Sequence, residues 1–137
     1  MAETMATVSG AARRLAARFW PGPLTLVLPA RAGLPLPLTA GSGTIGIRVP
    51  GHAAAAALVD GVGAPVTAPS ANPPGAEPPR RLAQARAYFG ERIAVYLDGG
   101  ELPGGGSTVA ALDGDRVRVL RAGAVSEAAL RAALAER

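Results

Sequence analysis

Residues 108–121 read Thr-Val-Ala-Ala-Leu-Asp-Gly-Asp-Arg-Val-Arg-Val-Leu-Arg, and the choice of fold class rests on them. Two short runs suited to strands, Thr108 to Leu112 and Val117 to Leu120, flank Asp113-Gly114-Asp115, a turn sequence that closes hairpins. Arg116 and Arg118 occupy alternate positions of the second run, so they share one face with Leu120. Working outward, Ser126 is placed to cap a last helix reaching about Ala135. On the other side, Ile93 to Leu97 and Pro65 to Ala68 read as strands, separated by a helix from Arg80 to Phe89 that the preceding prolines start. Before them come an alanine-rich helix from His52 to about Val59 and a strand, Thr44 to Val49. In that strand Ile45, Ile47 and Val49 alternate with Thr44, Gly46 and Arg48. Residues 29–43 form a Pro/Gly-rich connection. Leu24 to Leu28 is an aliphatic strand, and residues 9–19 form a helix capped by Ser9 and stopped by Trp20-Pro21-Gly22-Pro23. Helices and strands alternate, then the chain ends in a hairpin. The expectation is one α/β domain with a twisted mixed sheet and flanking helices.

Composition narrows the chemistry. A chain of 137 residues can bury one modest core, built from aliphatic side chains because aromatics are only 4%. Cysteine is absent, which excludes disulfides, thiolate metal sites and cysteine nucleophiles. All 14 cationic residues are arginine, giving a formal charge of +4. Without lysine there is no Schiff base and no Walker-type phosphate lysine. The apolar run Ala53 to Val59 is too short to span a bilayer, and the N-terminus lacks a signal pattern, so a cytoplasmic protein with no membrane partner is expected.

Few residues can carry chemistry. His52 is the lone histidine, no acidic or histidine cluster has metal-ligand spacing, and no nucleophile elbow surrounds a serine. Pro69-Ser70-Ala71-Asn72 follows the reading of a strand; the hydroxyl and the amide could face one ligand, or simply close an Asx or ST turn. Gly104-Gly105-Gly106-Ser107-Thr108 permits close backbone approach and offers hydroxyls, but is no P-loop. Arg48 and Arg121 end strands, where a planar guanidinium suits phosphate or carboxylate, or is merely solvated.

Together, Phe19-Trp20-Pro21-Gly22-Pro23-Leu24-Thr25-Leu26, Ile47-Arg48-Val49-Pro50, Ala68-Pro69-Ser70-Ala71-Asn72 with Gly75, Asp98-Gly99-Gly100, Ser107-Thr108-Val109 and Leu120-Arg121-Ala122-Gly123 resemble, in order and spacing, the threonylcarbamoyl-AMP synthase (YrdC-like) family. The resemblance runs from about residue 10 to the end. It implies a YrdC-like fold with a positively charged concave face. It also implies binding of ATP, as its Mg²⁺ complex, of L-threonine and of bicarbonate, to form threonylcarbamoyl-AMP and pyrophosphate for tRNA modification. No protein-ligated metal and no catalytic side chain is implied. Carried over by the motifs, Ser70 and Asn72 contact the nucleotide and its phosphate. Arg121 lies near AMP, Ser107 lies by the threonylcarbamoyl or phosphate end, and Arg48 binds the substrate or nucleotide, or else supports the pocket wall. The family's Pro-Thr-x-Thr-x-Tyr-Gly and Lys-x-Arg segments have no counterpart here. Their absence removes cations that balance charge as the α-phosphorus is attacked, and with them N-terminal strands of the sheet. Impaired activity of the chain alone is therefore expected, with a homodimer, or a partner or upstream sequence supplying the segment. Two alternatives are a non-catalytic tRNA or double-stranded-RNA binding module and a carbamoyltransferase module handling carbamoyl-adenylate.

Overall fold

The computed structural model describes residues 1–136. They fall into two compact units: the first comprises Met1–Pro65 and the chain from Gly105 onward, the second Val66–Gly104. The sequence offers no linker between them.

The first unit is built on four strands: β1 (Leu24–Pro29), β2 (Thr44–Ile47), β3 (Thr108–Asp113) and β4 (Arg116–Arg121). Their order is β2-β1-β3-β4. β1 runs antiparallel to β2 and parallel to β3, while β3 and β4 form the expected antiparallel hairpin. The sheet is therefore mixed, as the alternation of helices and strands implied. Leu24, Leu26 and Leu28 point to one face and are buried with Ala110. Helix α2 (Gly10–Phe19) lays Leu15 on that face and helix α6 (Glu127–Ala135) adds Leu130, closing a single core. Both helices start as the sequence indicates. The Ser9 hydroxyl accepts from the amide of Ala12, and the Ser126 hydroxyl from that of Ala129, each satisfying a donor that the helix cannot. Two four-residue helices, α1 (Ala2–Met5) and α3 (Leu36–Thr39), were not foreseen; α3 lies within the Pro/Gly-rich connection. Helix α4 (Ala53–Val62) runs past Val59 to Gly63, whose φ of 67° closes it in the left-handed region that glycine tolerates. Near the N-terminus, Arg13 pairs with Glu3 at 2.8 Å and holds that carboxyl below its usual range.

The second unit corrects the sequence reading. Neither Pro65 to Ala68 nor Ile93 to Leu97 is a strand; both are irregular. Alternating β-branched and aliphatic residues describe a surface fit for pairing, and a strand exists only where another backbone takes its hydrogen bonds. The helix here, α5 (Leu82–Phe89), starts two residues later than expected. The Gln84 side chain accepts from the amides of Arg80 and Arg81 and fixes the start. A turn of 3₁₀ helix (Gly90–Arg92) follows. No residue of the unit is buried. Polar ties hold it instead. Arg80 and Leu102 exchange two hydrogen bonds, with the Leu102 amide donating to the Arg80 carbonyl at 2.8 Å and Arg80 Nε to the Leu102 carbonyl at 3.0 Å. Glu101 takes both Arg80 and Arg81, and the Arg86 guanidinium lies 4.8 Å from the centre of the Tyr96 ring. Among the described residues no helix is long and apolar enough to cross a membrane.

Candidate functional site

Strand alternation decides what the sheet's second face presents. With Leu24, Leu26 and Thr108 turned to the core, Thr25, Ser107 and Val109 must turn the other way. The register confirms it, because Thr25 pairs with Val109 and Val109 with Arg121. A β-bulge between Val109 and Ala110 inserts Leu120 and brings Arg121 onto the same face as Ser107. Three side chains from neighbouring strands meet there. Arg121 Nη2 donates to the Ser107 carbonyl at 2.9 Å and to its Oγ at 3.1 Å, and Nε donates to the same carbonyl at 3.3 Å. The hydroxyls of Ser107 and Thr25 lie 3.1 Å apart.

The backbone is tightened around this cluster. Thr108 turns inward, is fully buried, and its hydroxyl donates to the Val125 carbonyl at 2.7 Å while accepting from the Val125 amide at 2.9 Å. This clamp lays Arg121-Ala122-Gly123 across Ser107 and Thr108. A Cβ at Gly123 would stand 2.4 Å from the Thr108 nitrogen and 2.5 Å from the Ser107 carbonyl carbon, so only glycine allows the approach. Leading into Ser107, Gly104, Gly105 and Gly106 all have positive φ, as a close-approach loop requires.

Arg48 acts elsewhere. Its Nε donates to the Gly22 carbonyl at 2.9 Å, and the Gly22 amide donates to the Val49 carbonyl at 2.9 Å. Nε thus braces the Trp20-Pro21-Gly22-Pro23 loop. Gly22 has no room for a side chain either, since a Cβ would lie 2.4 Å from the Phe19 carbonyl oxygen. The Trp20 indole ties the loop down by donating to the Leu24 carbonyl at 2.7 Å.

Ser70 and Asn72 belong to the second unit, where Ser70 is exposed. The Asn72 amide nitrogen donates to the carbonyls of Pro73 and Ala76 at 3.2 and 2.9 Å, shaping the Pro-Pro-Gly turn. Its Oδ1 is buried without a partner. In this arrangement the Asn72 side chain is spent on its own turn. The structure therefore joins Ser107 to Arg121 and adds Thr25, Thr108 and Gly123. Thr25 was legible in principle, as the polar residue of an aliphatic strand whose neighbours turn inward. An open depression of about 310 Å³ lined by Asp115, Arg116, Val117, Arg131 and Leu134 lies at the hairpin turn and contains none of these residues.

The model of the Sua5/YciO/YrdC family, described as "Telomere recombination", matches residues 1–123. The chain belongs to the Sua5/YciO/YrdC family. It is 38% identical over 125 residues to the threonylcarbamoyl-AMP synthase of Bacillus subtilis, covering 90% of this chain and 36% of that one. It is 42% identical over 90 residues to the enzyme of that name from Pyrococcus abyssi, covering 66% of this chain and 26% of the other. The crystal structure of P. abyssi Sua5 complexed with L-threonine superposes with a TM-score of 0.84 at 39% identity, over 89% of this chain and 36% of Sua5. Escherichia coli YciO gives 0.73 at 30% identity, over 89% and 60%. The chain thus spans 26–36% of the length of these two curated synthases, and 36% and 60% of the two solved structures.

Proposed function

We propose that the chain is a threonylcarbamoyl-AMP synthase module that binds an adenylate where Ser107 and Arg121 meet. The observation that carries the reading is this pair. A guanidinium at the end of β4 is fixed on a carbonyl and a hydroxyl at the start of the antiparallel β3, and the backbone is pressed close by glycines on both sides. In this reading ATP enters as its Mg²⁺ complex, L-threonine and bicarbonate supply the threonylcarbamoyl group, and pyrophosphate leaves. The product serves the modification of tRNA in the cytoplasm. The AMP or threonylcarbamoyl part lies at the Arg121–Ser107 cluster, Ser70 and Asn72 are proposed contacts to the nucleotide, and Arg48 keeps the Trp-Pro-Gly-Pro loop in place. The L-threonine complex of P. abyssi Sua5 supports the amino-acid assignment. The relatives' names favour threonylcarbamoyl over carbamoyl chemistry.

The test is calorimetric titration with AMP and ATP. Wild type binds at millimolar concentration or below, and Arg121→Gln and Ser107→Ala each weaken binding about tenfold, as expected for hydrogen bonds to a charged group. Absence of heat at millimolar nucleotide overturns the reading.

A second reading has its own observation. On the face that carries Thr25, Arg118 pairs with Ala111 and Arg116 with Asp113, and both arginines are exposed. Alternating guanidiniums on an open sheet face suit a nucleic-acid backbone. A tRNA affinity that falls steeply with salt, and that survives Ser107→Ala, would favour a binding module.

A further inference from the structure

We infer that Thr25, which belongs to none of the motif positions assigned a ligand, is the hydroxyl that meets the ligand's anionic oxygen, and that Ser107 is an internal link behind it. The polarity of the cluster gives the reason. A guanidinium can only donate, so Ser107 Oγ accepts from Arg121 Nη2. Ser107 is only 7% exposed, so its own proton is turned chiefly to protein acceptors. The oxygen within reach is Thr25 Oγ1 at 3.1 Å, so Ser107 donates to Thr25. Thr25 is only half-buried, and its proton is the free end of the string. Every bond in the series points the same way, from guanidinium to serine to threonine, and each polarises the next. A chain of donors that starts at a cation and ends on an open hydroxyl calls for a negatively charged acceptor. A phosphate oxygen and a carboxylate oxygen both meet that requirement.

Packing holds the threonine ready. Its pairing partner on β3 is Val109, and a Cβ added to Gly46 on β2 would approach its methyl group to 3.3 Å. The methyl therefore packs closely against Gly46, and the hydroxyl is turned toward Ser107.

This inference rests on the reading that the chain binds an adenylate or its threonine component, and one experiment separates the two. Wild type, Thr25→Val and Thr25→Ser are titrated with AMP and with L-threonine, and their melting curves are recorded. Valine keeps the shape and β-branching of threonine, so cooperative melting is expected in all three. Thr25→Val should lose about tenfold in affinity for the ligand that reaches the hydroxyl, and Thr25→Ser should stay within about twofold of wild type. A loss confined to AMP identifies the phosphate, and one confined to L-threonine identifies the carboxylate. Adding Ser107→Ala to Thr25→Val should cost little more than Thr25→Val alone, because the two act in series. If wild type binds and Thr25→Val binds equally well, the inference fails while the functional reading stands. If Thr25→Ser loses as much as Thr25→Val, retaining the hydroxyl does not preserve binding and the inference again fails. If wild type binds neither ligand, both fall together.

Discussion

The two units of this chain carry similar apolar strings, yet they use them in opposite ways. In the first unit Leu24, Leu26 and Leu28 lie on paired strands beneath two helices and are no more than 2% exposed. In the second, Ile93, Val95 and Leu97 have the same alternate spacing, but the segment is irregular and Val95 and Leu97 are 71% and 64% exposed. The difference lies in the backbone partner. β1 is central, with a neighbour on each side, while residues 93–97 pair with nothing among the described residues. Periodicity marks which face of a strand would be buried; pairing decides whether there is a strand.

The contrast can be broken most directly at matched leucines. Leu26→Ala should destabilise the chain by about 2–5 kcal/mol, since a fully buried side chain leaves a cavity, whereas Leu97→Ala should change stability by no more than about 0.5 kcal/mol. Chemical denaturation of the two variants checks this, and equal losses would erase the distinction. Gly123→Ala sharpens it from the side of the candidate site. The added carbon would lie 2.4 Å from the Thr108 nitrogen, and overpacking of this kind costs about 1–3 kcal/mol. Amide hydrogen exchange should agree, with protection at Ala110 and Ala111 and fast exchange at Val95 and Leu97.

What the sequence made legible follows the same division. The hairpin turn at Asp113-Gly114-Asp115 and the serine caps at Ser9 and Ser126 were readable because each is settled within a few residues. The strands expected at Pro65 to Ala68 and Ile93 to Leu97 were misread because their existence depends on distant backbone. At the candidate site, the resemblance singled out Ser107 and Arg121, and the hairpin register brings them together. Thr25 escaped notice because it lies 82 residues from Ser107 and meets it only through parallel pairing of β1 with β3. The role of Asn72 in its own turn was among the readings of that loop. Its orientation, with the amide nitrogen spent on two carbonyls, needed coordinates.

Smaller effects probe the edges of the first unit. Ser126→Ala should remove about 1 kcal/mol by leaving the Ala129 amide without its cap, measurable as a lower melting temperature. Glu3→Gln should do least, because the Arg13 pair is largely exposed and screened. Its sign is still defined. The Glu3 carboxyl titrates below its ordinary value in the folded chain, so the ion pair stabilises at neutral pH and its contribution fades as pH falls through the folded-state pKa. Wild type and Glu3→Gln should therefore converge in acid, and also at high salt.

Trp20 is the chain's one tryptophan, and its indole hydrogen bond ends on Leu24, the residue just before Thr25. Its indole is therefore tied to the peptide that joins Leu24 to Thr25, whose hydroxyl we place against the ligand. A shift in emission colour or lifetime on adding nucleotide would register events at that strand end without any label, and the other unit contributes no indole signal to obscure it.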